Sequence, residues 1–212
     1  MRVYRPTGPV VALGRRDTRL QGSGDAVRVA REQGFEPVVR AVGGRAVAYT
    51  SAALVVDQVG VGSDNVEGLD RRFEEFGHRF VGVLRDLGID ARLGPVAGEY
   101  CPGAQSVNAR GEVKLVGTAQ RVVRGAWLFS SLVVLGEHER LRPVLGDVYR
   151  ALDLPLDPAS VGSVAEEAGD VDADALEAAV LRAWSLDRDL DEAPVDEETL
   201  ALADRLEPDH TL

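Results

Sequence analysis

From Val66 to Leu87 apolar residues recur every three or four positions: Val66, Leu69, Phe73, Phe76, Phe80, Val83, Leu84 and Leu87. That spacing keeps one face of a helix apolar, with Asp64 or Asn65 available to cap its start and Gly88 to end it. Shorter runs with helical spacing cover 24–33, 141–152, 173–186 and 197–206. Apolar runs bounded by Gly, Pro or polar residues predict strands at 10–13, 37–41, 46–49, 53–59, 105–108, 113–123 and 127–135. The runs 46–49 and 53–59 are close enough to pair as a hairpin, and 105–108 faces 113–123 across an Asn108–Gly111 turn. Strands in succession, one long helix and a helical tail predict an α+β (mixed α/β) fold, a largely antiparallel mixed sheet flanked by helices. No strand–GxGxxG–helix unit is present, which argues against a doubly wound nucleotide fold.

Composition adds detail to this picture. Hydrophobic residues make up 45% of 212 and aromatics only 5%, so the core must be mainly Val, Leu and Ala. The three phenylalanines of the long helix and the two tryptophans read as core. The length suits one domain over 1–212, with an acidic helical segment from about 165 to 212. The net charge of −11 argues against a general nucleic-acid binder, which needs a basic face. Acid concentrates after Glu166, and the chain before it is near neutral, leaving room for a basic cleft. A single cysteine allows no intrachain disulfide, and no apolar run approaches a membrane span. These features read as a soluble cytoplasmic protein. The histidines His78, His138 and His210 are scattered and predict no metal site.

Three segments hold candidate chemistry. Arg40-Ala41-Val42-Gly43-Gly44-Arg45 places two glycines between strands, where a backbone can approach a ligand and arginines can fork onto a carboxylate or phosphate. Gly98 to Gly103 holds the lone thiol, Cys101, in a Gly/Pro-rich loop. Lys114 to Arg121 holds the only lysine in a chain with 23 arginines. A compact ammonium is the one cationic property Arg cannot reproduce. Strict alternation along this strand would put Lys114 and Thr118 on one face, with Gly117 free to bend or to receive a ligand on its backbone.

The first and third segments, in this order, resemble the lipoate–protein ligase and octanoyltransferase family of the biotin/lipoate ligase superfamily. Its Arg-x-x-Gly-Gly-Gly-x-Val-x-His motif is matched by Arg40 to Tyr49. Its Lys-hydrophobic-x-Gly-x-Ala-Gln/Tyr-Arg strand is matched by Lys114 to Arg121. Val10 to Arg15 and Ser160 to Val164 also resemble family segments, so the likeness covers roughly 2–185. The resemblance implies that Lys114 binds the acyl carbonyl or acyl-adenylate phosphate. It implies that Gly43 and Gly44 line an acyl tunnel, with Arg40 and Arg45 beside it, and that Gly117, Thr118 and Ala119 follow the ligand. A lipoyl or octanoyl group would go to a lysine of a lipoyl domain, in a 2-oxoacid dehydrogenase or the glycine cleavage H protein. A ligase would use ATP and Mg2+.

The chain departs from the family pattern at several places. Arg45 stands for the third glycine, Tyr49 for the usual His and Val39 for the first Arg of a pair. The Asn-Asp pair of ATP-using members is replaced by Tyr100-Cys101-Pro102-Gly103. A cysteine in that loop marks another branch, in which a thiolate takes octanoyl from acyl carrier protein as a thioester and needs no ATP. The family also begins with a strand and helix before the position of Arg2. Three readings stay open: an ATP-dependent lipoate ligase, slightly preferred; a Cys101 thioester octanoyltransferase or lipoyl amidotransferase; and a non-catalytic acyl-binding relative.

Overall fold

A computed structural model describes residues 1–62, 68–187 and 189–212. Its main sheet has six strands in the order β1 (Arg2–Tyr4), β5 (Ala53–Val61), β9 (Ala126–Val134), β8 (Val113–Val123), β7 (Val107–Ala109) and β6 (Ala91–Leu93), with every neighbour antiparallel. A second sheet lays β3 (Glu36–Val39) parallel and β4 (Val47–Tyr49) antiparallel to β2 (Val10–Leu13). The parallel pair is bridged by α1 (Ser23–Glu32), because parallel neighbours need a crossover. The fold is therefore α+β, with its antiparallel main sheet flanked by helices, as the hydrophobic pattern implies.

The hairpin expected between 46–49 and 53–59 does not form, since β4 and β5 belong to different sheets. The Ala52 N–H donates to Thr50 Oγ1 at 3.1 Å, and Ala52 O receives the N–H groups of Leu135 and Gly136. Those bonds turn the chain out of one sheet and deliver β5 to β9. Strand β1, only three residues long, is too short to leave an alternation pattern.

Two cores result. One borders the slot between the sheets, where Val55, Leu132 and Val134 of the main sheet face Ala12 and Val47, while Val11 and Leu13, one position out of phase with Ala12, pack on the second sheet's other face with α1 and α3 (His138–Ala151). The other lies on the opposite face of the main sheet, under α2 (Leu69–Asp86) and α5 (Ala173–Ser185). The expected first turn of the long helix, with its Asp64 or Asn65 cap, falls in 63–67, outside the described residues. Phe76 packs edge-on to Phe129 with ring centres 4.9 Å apart, and Phe80 tilts against Trp184 at the same separation. The phenylalanine stripe is core, as its spacing requires. Helix α6 (Glu197–Leu206) buries no residue. Among the described residues no helix is long and apolar enough to cross a membrane.

One irregularity sets up the site. Strand β7 advances one residue, Val107 to Asn108, while its partners on β8 retreat two, Val116 to Lys114. This β-bulge reverses the alternation, since two residues of one strand oppose one of the other. Lys114 therefore shares a face with Gly117 and Ala119. A Cβ added to Gly117 would lie 3.4 Å from Lys114 Cε. Thr118, expected on the lysine's face, is instead paired with Ser131 and, through it, aligned with Val56 of the second core.

Candidate active site

A cavity of about 360 Å³ occupies the slot between the two sheets. The main sheet contributes two cross-strand rows. Gly117 faces Leu132, Val55 and Tyr4 in turn; Ala119 faces Ser130 and Asp57. Directly opposed residues point to one face, so these rows form a continuous floor. The second sheet supplies Val38, Val47 and Tyr49, and the walls are otherwise apolar apart from Asp57, Thr118, Ser130 and His210. Burial pushes the Asp57 carboxyl above its ordinary range, with smaller opposing contributions from a Ser130 hydrogen bond and the Arg2 charge.

Arg40, Cys101 and Lys114 also border this cavity. The Cys101 thiol is free and partly exposed. Its backbone has φ +43°, a left-handed conformation that L-residues adopt at a cost. Several contacts hold it there. The Cys101 N–H donates to Tyr149 Oη at 2.6 Å, and Tyr149 Oη donates to Ala46 O at 2.9 Å. Lys114 Nζ donates to the carbonyls of Tyr100 and Cys101, both at 3.0 Å. Cys101 Sγ in turn accepts from Arg40 Nη2 at 3.3 Å and from the Arg45 backbone N–H at 3.2 Å.

The glycine turn serves the thiol rather than the cavity. Gly43 and Gly44 do not border the cavity, contrary to the expected acyl tunnel. Gly44, at φ +97°, lies beneath the thiol: a Cβ there would sit 2.5 Å from Cys101 Sγ and 2.0 Å from Arg40 Nη2. A Cβ on Gly14 would meet Gly44 O at 2.1 Å, so two backbones touch behind the Cys101 thiol. Arg45, expected at the substrate, turns away. Its guanidinium pairs at 2.9 Å with Asp17, a fully buried carboxylate that also accepts from Gly14 N–H. Arg40 keeps its place, and its buried Nε has no partner.

Lys114 is 2% exposed and carries a second partner set unread in the sequence. Its Nζ lies 2.8 Å from Glu99 Oε2 and 4.8 Å from the centre of the Tyr100 ring. Glu99 is fully buried and also accepts from Ser106 Oγ at 2.6 Å and Val96 N–H at 3.1 Å. Asp17 and Tyr149 escaped the sequence reading because each is remote in the chain from the loop it supports, and Glu99 because its burial against Lys114 appears only in the fold. A Glu next to a candidate Tyr-Cys pair was the one available signal. Among the described residues, no group of three or more His, Cys, Asp or Glu could hold a metal ion.

Comparison with known proteins places this arrangement. The model of the lipoyl protein ligase A/B catalytic domain matches residues 1–185. The octanoyl-[GcvH]:protein N-octanoyltransferases of Geobacillus kaustophilus and an Exiguobacterium species are 31% and 34% identical over 115 residues, 54% of this chain and 40% of each relative. A lipoyl-[GcvH]:protein N-lipoyltransferase of Listeria monocytogenes is 24% identical over 66% of this chain and 50% of its own. The chain thus matches half or less of the length of these relatives. In fold it is similar to a Thermoplasma acidophilum protein described as a lipoate protein ligase with bound lipoic acid (TM-score 0.75, 24% identity, 98% of this chain and 81% of that one). It is equally similar to a lipoate-protein ligase A bound with ATP (TM-score 0.76, 24% identity, 97% and 79%). By the extent of the family match and the fold it shares, the chain belongs to the lipoyl protein ligase A/B catalytic-domain family.

Proposed function

We propose that the protein moves an octanoyl or lipoyl group between lysines of carrier domains through a thioester on Cys101. The observation that carries this reading is the placement of Sγ, at the edge of an apolar cavity and within reach of two N–H donors. Two donors fix the sulfur in place at the cavity edge, where its thiolate can act as a nucleophile. The relatives named for octanoyl and lipoyl transfer from GcvH support the same chemistry and suggest the donor.

The thiolate attacks the carbonyl carbon of the donor's acyl-lysine amide. A C–S bond forms, the C–N bond breaks, and the lysine amine leaves after gaining a proton. The amine of an acceptor lipoyl domain then attacks the thioester. A new C–N bond forms, the thiolate is released and the nitrogen's surplus proton passes to solvent. Burial of the chain's seven apolar carbons between Val38, Val47, Val55 and Leu132 would supply about 5 kcal/mol, at roughly 0.8 kcal/mol per methylene. The unpartnered Arg40 Nε is the free donor for the acyl carbonyl oxygen.

An acyl-adenylate route finds less support. The two carboxylates bound to the thiol loop and the glycine turn are already engaged, Glu99 by Lys114 and Ser106, and Asp17 by Arg45 and Gly14. Neither is left to hold the Mg2+ of an ATP. The test supplies an apo lipoyl domain with octanoylated H protein, with octanoyl-acyl carrier protein, or with lipoate and Mg-ATP, and follows the acceptor's mass. Modification from a carrier-borne acyl group without ATP, lost in Cys101→Ala, is expected. Modification only with Mg-ATP, or retained in Cys101→Ala, would overturn the thioester route.

A further inference from the structure

An ammonium has three N–H groups, and Lys114 has three oxygen acceptors: Glu99 Oε2 at 2.8 Å and the carbonyls of Tyr100 and Cys101 at 3.0 Å each. No proton is spare for a substrate oxygen. Two of the three bonds go to the loop that holds the nucleophile at φ +43°. The third goes to a buried carboxylate, itself fixed by Ser106 Oγ at 2.6 Å and Val96 N–H at 3.1 Å. Glu99 lies in the same loop as Tyr100 and Cys101, so the loop is pinned on both sides of the ammonium.

We infer that Glu99 is a positioning residue for acyl transfer: it holds the Lys114 ammonium against the Tyr100 and Cys101 carbonyls and so sets the nucleophile's backbone. Lys114 then serves the thiol loop, and contact with the acyl carbonyl falls to other donors. The inference rests on the thioester reading above. It assigns the charge of Glu99, beyond its bulk, to the acylation step.

Charge and bulk are separated by two variants. Glu99→Gln keeps the shape and loses the charge; Glu99→Asp keeps the charge and loses one methylene. Acyl loading of Cys101 is followed by intact mass against donor concentration, using octanoylated H protein. Glu99→Gln is expected to lower kcat for loading by about 30-fold or more with KM changed less than about threefold, as for a group acting only on the reacting geometry. Glu99→Asp should retain about tenfold more activity than Glu99→Gln, because the ion pair survives at longer reach.

The opposite order, with the isosteric Gln the better enzyme, would mean that Glu99 only fills space and would overturn the inference. So would an unchanged kcat, or an effect confined to KM. Removing one member of a buried pair is destabilising, so Glu99→Gln is accompanied by two gentler variants. Ser106→Ala leaves the pair intact but removes the second donor on Glu99 Oε2, and should lower kcat about three- to tenfold while the melting temperature moves little. The neutral double variant Glu99→Gln/Lys114→Met should regain stability without regaining loading; regained loading would refute the assignment. A native protein that loads no acyl group from any donor would instead defeat the thioester reading itself.

Discussion

Replacing Tyr149 by Phe deletes one oxygen and leaves two backbone groups without partners. The Tyr149 hydroxyl accepts the Cys101 N–H at 2.6 Å and donates to Ala46 O at 2.9 Å, tying the thiol loop to the strand that follows the glycine turn. Tyr149 is 1% exposed, and burial holds its phenol far above its ordinary pKa, so it stays protonated and both bonds persist at physiological pH. A buried group stripped of its partner costs about 1–3 kcal/mol, so two orphans cost about 2–6 kcal/mol together. For a chain of this length each kcal/mol lowers Tm by about 2–4 °C, so Tyr149→Phe should melt roughly 4–24 °C below the native protein. The same change releases a strained backbone at Cys101, whose positive φ costs about 1–3 kcal/mol to maintain. Sγ would then leave Arg40 and the Arg45 N–H, and acyl loading should fall at least about tenfold. Thermal unfolding by circular dichroism and acyl loading by mass test the two halves separately. A variant that melts within about 2 °C of native and loads at the native rate would refute the claim that this hydroxyl holds the nucleophile.

Other perturbations follow from the same geometry. Gly44→Ala drives a Cβ into Arg40 Nη2 and Cys101 Sγ at φ +97°, and should lower loading at least about 100-fold with a stability loss of about 2 kcal/mol, read by mass and by melting. Gly117→Val places a branched side chain against Lys114 Cε on the cavity floor; it should block octanoate binding in calorimetry, whereas Gly117→Ala, at ordinary contact distance, retains most of it. Burial raises the Asp57 carboxyl, so the native state keeps this proton where the unfolded chain has lost it. Stability from this group therefore falls as pH rises from the ordinary carboxylate range through the native value. Asp57→Asn should match the native Tm near pH 4 and exceed it increasingly toward about pH 7; equal Tm values at all pH would sink the assignment. Lys114→Arg should lose acyl loading and also stability, because a planar fork replaces a compact head at a site 2% exposed.

Where the sequence was legible, the signal was local and repeated. The phenylalanine stripe of α2 declares its own face, and most strands announce themselves as apolar runs. The glycine turn and the lysine strand were found as motifs, yet their working parts were not. Gly44 serves Cys101, 57 residues later, through a contact that only the fold creates. The bulge that turns Lys114 toward the cavity is set by an offset between β7 and β8, and no period within β8 contains it. Glu99 and Asp17 left no mark in the sequence because their burial is a property of the assembled loops.

The rarity of lysine here has a geometric reason. Elsewhere in the chain many arginines pair with one carboxylate or two, as Arg28 does with Asp25 and Glu32. Guanidinium does this well, since its donors lie in one plane and spread outward. Around Lys114 the demand is opposite. A carboxylate and two successive carbonyls converge on a single point beneath an aromatic ring. Only a tetrahedral head can meet three acceptors from one atom, and a planar fork would satisfy two while pushing the third away. A chain free to exchange Lys for Arg at every solvent-facing position meets that constraint at this strand. The lysine is required by the loop it holds, and so its presence reports the position of the Cys101 thiol.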